Sequence, residues 1–388
     1  MQTSKKVALS GLGIILAMTA AACGSSKTTT APAATTAAAT VTTAAAAVTT
    51  AAATVTTAAA TATTKAMADT TAAPAAGGGA KKMAILFDLK GRGDKSFNDS
   101  AAIGLDKAKK EFGYTVTEQV RTGTDAAEQL KLAVDAKNDL IIGVGFAWAE
   151  EMEKTAIANP NIKFGIVDST IEKATNVSGL VFKANEGSYL VGVAAGLKSK
   201  AKHVGFIGGV DIPLIQDFAV GFEAGAKSVD PAMKVDLKYI SPAGDFSGFG
   251  DPAKAKTIAL SQYEGGADVV YHAAGGSGDG LFGAAKEFSA KGSKVWAIGV
   301  DSDQATTVNA DLAPFILTSM IKHVDVAVYE TMKAAAGGSF KGGVRVFSAK
   351  DGGVDYATTG GYVDDIKAKL EAAKAAIASG KITVPSKG

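Results

Sequence analysis

The sequence predicts an α/β fold with two Rossmann-like lobes from about residue 81 to the C-terminus. Two observations support this prediction. Short apolar runs alternate with longer helix-like stretches after residue 80, which is typical of βαβ units around a parallel sheet. The runs also fall into two sets of about five, each enough for one sheet. With 388 residues, of which 47% are hydrophobic, the chain is long enough to bury two cores.

The first set of runs begins with the clearest βαβ unit. Residues 83–88 form an apolar run that predicts a strand. A glycine-rich turn separates it from residues 96–112, where apolar side chains recur at the helical spacings of three and four. Ser96 stands where a helix cap is expected, and Gly113 can end the helix. The further strands predicted in this lobe are 114–120, 140–144, 163–168 and 177–182.

The second set of runs predicts the second lobe in the same way. Its strands are expected at residues 203–207, 235–240, 269–273, 295–301 and 315–321. The C-terminal part of the chain has a different pattern. A short strand at 344–347 and a turn at 351–353 precede a charged amphipathic helix that is expected to run from Tyr362 to about Gly380.

Residues 1–22 are expected to be a signal peptide. Lys5 and Lys6 precede an apolar run of about 16 residues, which is too short to span a bilayer comfortably as a helix. The run leads into residues 20–24, Ala-Ala-Ala-Cys-Gly, which resemble a bacterial lipobox with Cys23 as the lipidated residue. The alternative is an ordinary secretory signal or a membrane anchor that happens to end beside Cys23.

Residues 23–80 are mostly Ala and Thr and predict a disordered tether. They have no apolar face whose burial would offset the entropy of ordering them. A diacylglyceryl group on Cys23 would supply two acyl chains, which is enough for stable anchoring. The folded lobes are therefore expected to be held at a membrane surface.

The composition argues against several classes of function. The formal charge is only +2, without a run of Lys or Arg, so we expect no nucleic-acid partner. A single cysteine excludes an intramolecular disulfide and a cysteine-based metal cage. The three histidines, His203, His272 and His323, are not paired at ligand spacing. We therefore expect neither a metal nor a cofactor.

Acidic residues and glycines follow the predicted strands, at the edge where open α/β sheets bind ligands. Asp88, Asp168 and Asp301 each end an apolar run, and Gly145 and Gly276 follow two others. Carboxylates accept hydrogen bonds from hydroxyl or amino groups, and glycine lets a ligand approach the backbone. A single such aspartate is more often a turn former or a helix cap. Three of them at equivalent places in two lobes favour a binding site.

Two phenylalanines stand beside these strand ends. Phe97 opens the first predicted helix, and Phe218 lies near the start of the equivalent helix in the second lobe. If both face a cleft between the lobes, a flat ligand could stack between them. The alternative is that both are core residues, and Phe97 also fits the buried stripe of its helix.

Six motifs in register resemble the basic membrane protein (BMP) family of substrate-binding lipoproteins, whose best understood members are purine nucleoside receptors of ABC transporters. The motifs occur at residues 93–99, 143–146, 185–192, 204–209, 265–271 and 298–304. The resemblance implies a type I periplasmic-binding-protein fold, with a hinge and a central ligand cleft. By that pattern the first lobe comprises residues 81–184 and 321–345, and the second comprises 185–320 and 346–388.

The resemblance also implies how a purine would be held. Phe97 and Phe218 would lie on its two faces. Asn98 and Asp168 would bond the edge of the base, with Asp88 close to the same end.

For the ribose hydroxyls, the same pattern implies Gly276, Asp301 and Lys322. We expect Lys322 to pair with Asp301, because an unpaired lysine after an apolar run is costly; a solvated lysine at a strand end is the alternative. The first loop departs from the family, since Lys90 and Arg92 stand where many relatives have small or uncharged residues. This departure leaves the preferred nucleoside open.

These observations together predict a monomeric, lipid-anchored receptor on the extracytoplasmic face of the cell membrane. It would close on a nucleoside, preferably a purine nucleoside, and deliver it to an ABC transporter permease. We expect no enzymatic activity, because no serine lies in a nucleophile elbow and no histidine stands beside a strand-end carboxylate. The alternatives are a receptor for a sugar or another small polar metabolite, a nucleoside hydrolase, and a signalling receptor.

Overall fold

Two six-stranded sheets organise the chain from residue 81 to residue 387, which is the part that the computed structural model describes. The predicted signal peptide, Cys23 and the tether lie outside these residues. All neighbouring strands of the first sheet are parallel. In spatial order they are β11 (Gly343–Phe347), β5 (Val177–Phe182), β4 (Lys163–Val167), β3 (Leu140–Gly143), β1 (Lys82–Phe87) and β2 (Thr115–Val120).

The second sheet has the same order of strands, with one antiparallel strand at its edge. Its strands are β12 (Val354–Tyr356), β10 (Ile316–Lys322), β9 (Trp296–Asp301), β8 (Val269–Ala273), β6 (His203–Val210) and β7 (Lys234–Ser241). The prediction of an α/β fold with two Rossmann-like lobes is confirmed. The sixth strand of the first sheet is the run predicted near residue 344, whereas β12 was not predicted because three residues carry too little pattern.

Helices flank both sheets, and each sheet with its helices is called a lobe below. The first lobe contains α1 (Phe97–Phe112), α2 (Ala126–Asp135), α3 (Ala149–Ala158) and α9 (Val324–Ala336). The second contains α4 (Ala184–Lys198), α5 (Pro213–Val229), α6 (Pro252–Glu264), α7 (Gly278–Ser289), α8 (Gln304–Thr307) and α10 (Lys367–Ala378). Among the described helices, none has the length and apolar content needed to cross a bilayer.

The start of α1 differs from the prediction. Gly113 ends the helix in a left-handed conformation as expected. Ser96 precedes the helix, but its side chain makes no capping bond. Asp94 caps instead, because its carboxylate accepts from the backbone N–H groups of Ser96, Asn98 and Asp99. The C-terminal helix also begins later than predicted, at Lys367 rather than Tyr362.

The chain crosses between the lobes at Lys183, at His323 and through residues 348–353, where strands of one sheet lead into elements of the other. The Lys183 N–H donates to the Phe347 carbonyl over 2.8 Å, and the His323 N–H donates to the Gly353 carbonyl over 3.0 Å. The expected boundaries at 321 and 345 fall inside strands, since β10 continues to Lys322 and β11 to Phe347. The three crossings therefore lie next to one another and link the two lobes.

Close helix packing positions α5, which carries Phe218. A Cβ at Gly221 would lie 2.2 Å from the Asn185 carbonyl oxygen, and a Cβ at Gly225 would lie 2.1 Å from the Tyr189 carbonyl oxygen. Only glycine therefore permits this approach of α5 to α4. In this position Phe218 packs into the largest hydrophobic cluster of the described residues and lies at the edge of the cleft.

Candidate ligand-binding site

A cavity lies between the lobes, beside the carboxyl ends of their strands. It encloses about 700 Å³ of empty space, including solvent at its mouth. The structure brings together in its wall every residue predicted to bind ligand, which are Asp88, Phe97, Asn98, Asp168, Phe218, Gly276, Asp301 and Lys322. These residues come from both lobes. Their placement follows from topology, because the ends of parallel strands meet at one edge of a sheet.

Lys322 pairs with Asp168 across the cleft. The Lys322 Nζ lies 2.5 Å from Asp168 Oδ2, and the two side chains are only 2% and 7% exposed. The prediction that Lys322 pairs with Asp301 is therefore wrong, and so is the alternative of a solvated lysine. The physical reason is that the end of β10 faces the end of β4, while Asp301 Oδ2 accepts a hydrogen bond from the Ser96 hydroxyl over 2.6 Å.

The ammonium of Lys322 also lies over aromatic rings of both lobes. Its Nζ is 4.7 Å from the ring centroid of Phe97, 5.6 Å from that of Phe218 and 5.2 Å from that of Phe182. Such contacts with the negative faces of the rings stabilise a buried cation. Phe97 is half-buried and Phe218 is 3% exposed, so both rings line the cavity and also contribute to the core.

Asp168 and Asp301 occupy equivalent places at the carboxyl ends of β4 and β9, and both have a strained backbone. Their φ angles are +61° and +65°, a left-handed conformation that side chains other than glycine adopt rarely and at a cost. Burial raises the pKa of Asp301 to about 6, although the nearby Lys322 ammonium and the Ser96 hydroxyl oppose that rise. Strain and burial at two matching strand ends are typical of binding sites.

A second group of acidic and amide side chains lines the cavity. Asn98 Oδ1 accepts from the Asp88 N–H over 3.1 Å, and Asn98 Nδ2 donates to Asp94 Oδ2 over 3.0 Å. The Asp88 carboxylate lies 3.4 Å from Arg121 Nη1. Burial raises the pKa of both Asp88 and Asp94.

Sequence reasoning missed several lining residues. Asp94 lies inside the motif at 93–99, and Phe146 lies inside the motif at 143–146. Membership of these motifs was the signal that could have identified both residues as part of the site. Most of the other missed residues are apolar and have no distinguishing pattern in the sequence; they include Leu89, Leu214, Ile215 and Phe249. They make much of the wall apolar, which suits a ligand with a flat hydrophobic part.

The cleft is closed by contacts between the lobes. Lys95 Nζ lies 3.1 Å from Asp279 Oδ2, and the rings of Phe146 and Phe246 meet edge to face at 5.5 Å. Lys90 reaches across the cleft as well, since a Cβ at Gly276 would lie 3.1 Å from its Nζ.

Arg92, the other basic residue of the first loop, is turned away from the cavity. Its guanidinium binds Asp106 and Glu118 over 2.8 and 2.7 Å. Among the residues described, no group of three or more His, Cys, Asp or Glu side chains is arranged to hold a metal ion.

Comparison with known proteins identifies similar chains over this whole region. A family model described as "ABC transporter substrate-binding protein PnrA-like" (Bmp) matches residues 81–387. The ABC transporter nucleoside-binding protein BmpA of Lactococcus lactis is 40% identical over 321 residues, covering 79% of this chain and 89% of that protein. A lipoprotein of Pyrococcus horikoshii is 35% identical over 284 residues, covering 71% of this chain and 68% of that protein.

A solved structure agrees with these sequence matches. The solute-binding protein of an ABC transporter system from Aeropyrum pernix K1 superposes with a TM-score of 0.69 and 31% identity, covering 79% of this chain and 94% of that chain. The resemblance to the BMP family is thereby confirmed, and so is the type I periplasmic-binding-protein fold that it implied.

Removing Lys322 should strongly destabilise the protein. We expect Lys322→Met to lower the free energy of unfolding by about 3–5 kcal/mol, because Asp168 would stay buried without a counter-ion. Combining it with Asp168→Asn should recover most of that loss. Lys131→Met, whose lysine is 72% exposed beside Asp135, is the control and should change stability by less than about 0.5 kcal/mol. Denaturant unfolding checks this, and a loss no larger than the control's would contradict it.

Stability should depend on pH through Asp301. A folded-state pKa of about 6 means that the protonated carboxyl stabilises the fold below pH 4, and that this stabilisation is lost as the pH rises to about 6. Asp301→Asn removes this titration. The free energy of unfolding of the variant minus that of the unaltered protein should rise by up to about 3 kcal/mol between pH 4 and pH 6. Above pH 6 this difference should stay constant. Thermal unfolding across that range measures the difference, and a constant difference would contradict the expectation.

Proposed function

This chain belongs to the PnrA-like family of ABC transporter substrate-binding proteins, and we propose that its substrate is a purine nucleoside. The observation that carries this proposal is the composition of the cavity, in which phenyl rings from opposite lobes stand beside buried carboxylates. Flat aromatic bases gain stacking energy between such rings. Carboxylates accept the N–H and O–H hydrogen bonds that a nucleoside can donate.

The residues that line the cavity suit both parts of a nucleoside. We assign Asn98 and Asp168 to the edge of the base, with Asp88 close to the same end. Asn98 is already held by Asp88 and Asp94, so its amide is positioned before a ligand arrives.

We assign Gly276, Asp301 and Lys322 to the ribose. A base that enters between Phe97 and Phe218 displaces the Lys322 ammonium from their faces. The ammonium then turns toward the ribose hydroxyls, which donate hydrogen bonds to the Asp301 carboxylate. The name of the Lactococcus lactis relative, a nucleoside-binding protein, supports this assignment.

We further propose that the protein acts as a lipid-anchored monomer on the extracytoplasmic face of the membrane. Cys23 would carry the anchor, and the lobes would deliver nucleoside to an ABC transporter permease without chemical change. The match to a substrate-binding family and the lipoprotein name of the Pyrococcus horikoshii relative support this arrangement.

Isothermal titration with inosine, guanosine, adenosine, cytidine and ribose tests the substrate. We expect the purine nucleosides to bind most tightly, because they present the largest stacking surface to the two rings. Chromatography of the same mixtures should recover intact nucleoside. Binding of ribose without heat from any nucleoside would overturn the nucleoside assignment, and release of free base would establish a hydrolase instead.

Replacing Phe97 should separate stacking from core packing. We expect Phe97→Ala to weaken purine nucleoside binding about 10- to 100-fold, from a lost stacking energy of about 1–3 kcal/mol. It should lower the melting temperature of the unliganded protein less than the loss of a fully buried ring would, because Phe97 is only half-buried. Phe222→Leu is the matched control. Its ring is fully buried and does not line the cavity, so it should lower the melting temperature and leave affinity unchanged. Equal losses of stability in both variants would assign Phe97 to the core.

A further inference from the structure

A short turn of the first lobe docks into the second lobe beside the cavity. It consists of Lys95 and Ser96 and is called the docking turn below. The Lys95 carbonyl accepts from Gln304 Nε2 over 3.1 Å, and the Ser96 carbonyl accepts from the Ser302 hydroxyl over 3.1 Å. The Ser96 hydroxyl donates to Asp301 Oδ2. Phe97 follows at once, so the docking turn and a proposed ligand contact move together.

The docking turn is held in shape by its own lobe. Lys95 has a φ of +56°, and its N–H donates to Asp99 Oδ2 over 2.8 Å. The Ser96 N–H donates to Asp94 Oδ1 over 2.9 Å. Because these bonds lie within the first lobe, they persist when the cleft opens. The turn therefore presents the Lys95 carbonyl as a preformed acceptor.

Gln304 is the most constrained of the groups that the turn meets. It is 1% exposed, and its Oε1 accepts from the Val300 N–H over 2.8 Å. The Oε1 also lies 2.9 Å from His272 Nε2. A backbone N–H can only donate, so the oxygen must face Val300 and the Nε2 must face the Lys95 carbonyl.

His272 supports this orientation of the Gln304 amide. The ring is 1% exposed, and burial lowers the pKa of His272 to about 4. The ring is therefore neutral near pH 7, with the proton on Nε2 that Gln304 Oε1 accepts. No group of the described residues bonds its Nδ1, so His272 serves to hold the Gln304 amide.

We propose that Gln304 is a positioning residue that couples closure of the cleft to the backbone conformation at Asp301. Through Val300 and His272 it fixes the end of β9, which carries Asp301, and through Lys95 it holds the first lobe closed. Gln304 does not line the cavity, so it raises affinity without touching the ligand. A receptor binds more weakly as its closed form becomes less populated.

Gln304→Glu tests this role with the change of a single atom. The acceptor for Val300 and His272 remains, but the donor to Lys95 becomes an oxygen that repels the carbonyl. We expect the variant to bind inosine about tenfold more weakly. The choice of inosine as the ligand rests on the proposed function. The loss should appear as faster dissociation, because the bond holds the first lobe against the second while the ligand is enclosed. The melting temperature of the unliganded protein should also fall, because the new carboxylate is buried beside a neutral histidine, so affinity and dissociation rate carry the test.

Thr307→Val is the matched control. Its hydroxyl donates to the same Lys95 carbonyl at the longer distance of 3.4 Å from an exposed position, so inosine affinity should change less than about twofold. Wild-type affinity of Gln304→Glu would overturn the proposal. A drop in melting temperature with unchanged dissociation would also overturn it, since that pattern indicates a purely structural residue. If Gln304→Glu does not fold, Gln304→Asn replaces it, because its shorter amide cannot reach Lys95 and should give the same loss.

Small-angle scattering tests the proposal without any ligand. Residues 81–387 contain both sheets and their buried clusters, so this fragment suits the measurement. Unliganded Gln304→Glu should have a larger radius of gyration than the unaltered fragment, and equal radii would contradict the proposal. If no nucleoside binds the unaltered protein, the proposed function fails while the scattering result still decides the role of Gln304.

Discussion

The buried ion pair between Lys322 and Asp168 is the interaction around which the cavity of this structure is arranged. Lys322 ends a strand of the second sheet and Asp168 follows a strand of the first, so the pair joins the two lobes. Two charges removed from water need each other, because either one alone would carry the full desolvation cost. The rings of Phe97 and Phe218 cover the ammonium from both lobes, and they thereby exclude water from the pair.

The same arrangement explains how one cavity can both close and bind. The residues that hold the lobes together stand next to the residues assigned to the ligand: Ser96 precedes Phe97, and Gln304 follows Asp301 by three positions. Closure therefore brings the proposed ligand contacts into register. A ligand that displaces the Lys322 ammonium replaces contacts inside the protein with its own, so its net binding energy is the difference between them.

Much of this site could be predicted because strand ends are visible in the sequence. Apolar runs that end in Asp88, Asp168 and Asp301 show where three strands finish, and parallel sheets place such ends at one edge. The helix after β1 was also predicted, from its apolar spacing and from Gly113. The role of Ser96 was not, because a serine before a helix usually caps it, whereas here the opposite lobe takes the hydroxyl and Asp94 caps instead.

The sequence by itself determined the fold class, the position of most strands and part of the set of residues around the cavity. These depend on local periodicity and on motifs, which the chain carries in order. Only the tertiary structure decided which carboxylate Lys322 meets, that Gln304 reaches Lys95, and that β11 returns to the first sheet. Each of these pairs residues far apart in the chain, and their proximity depends on how the two lobes pack, which no local pattern encodes.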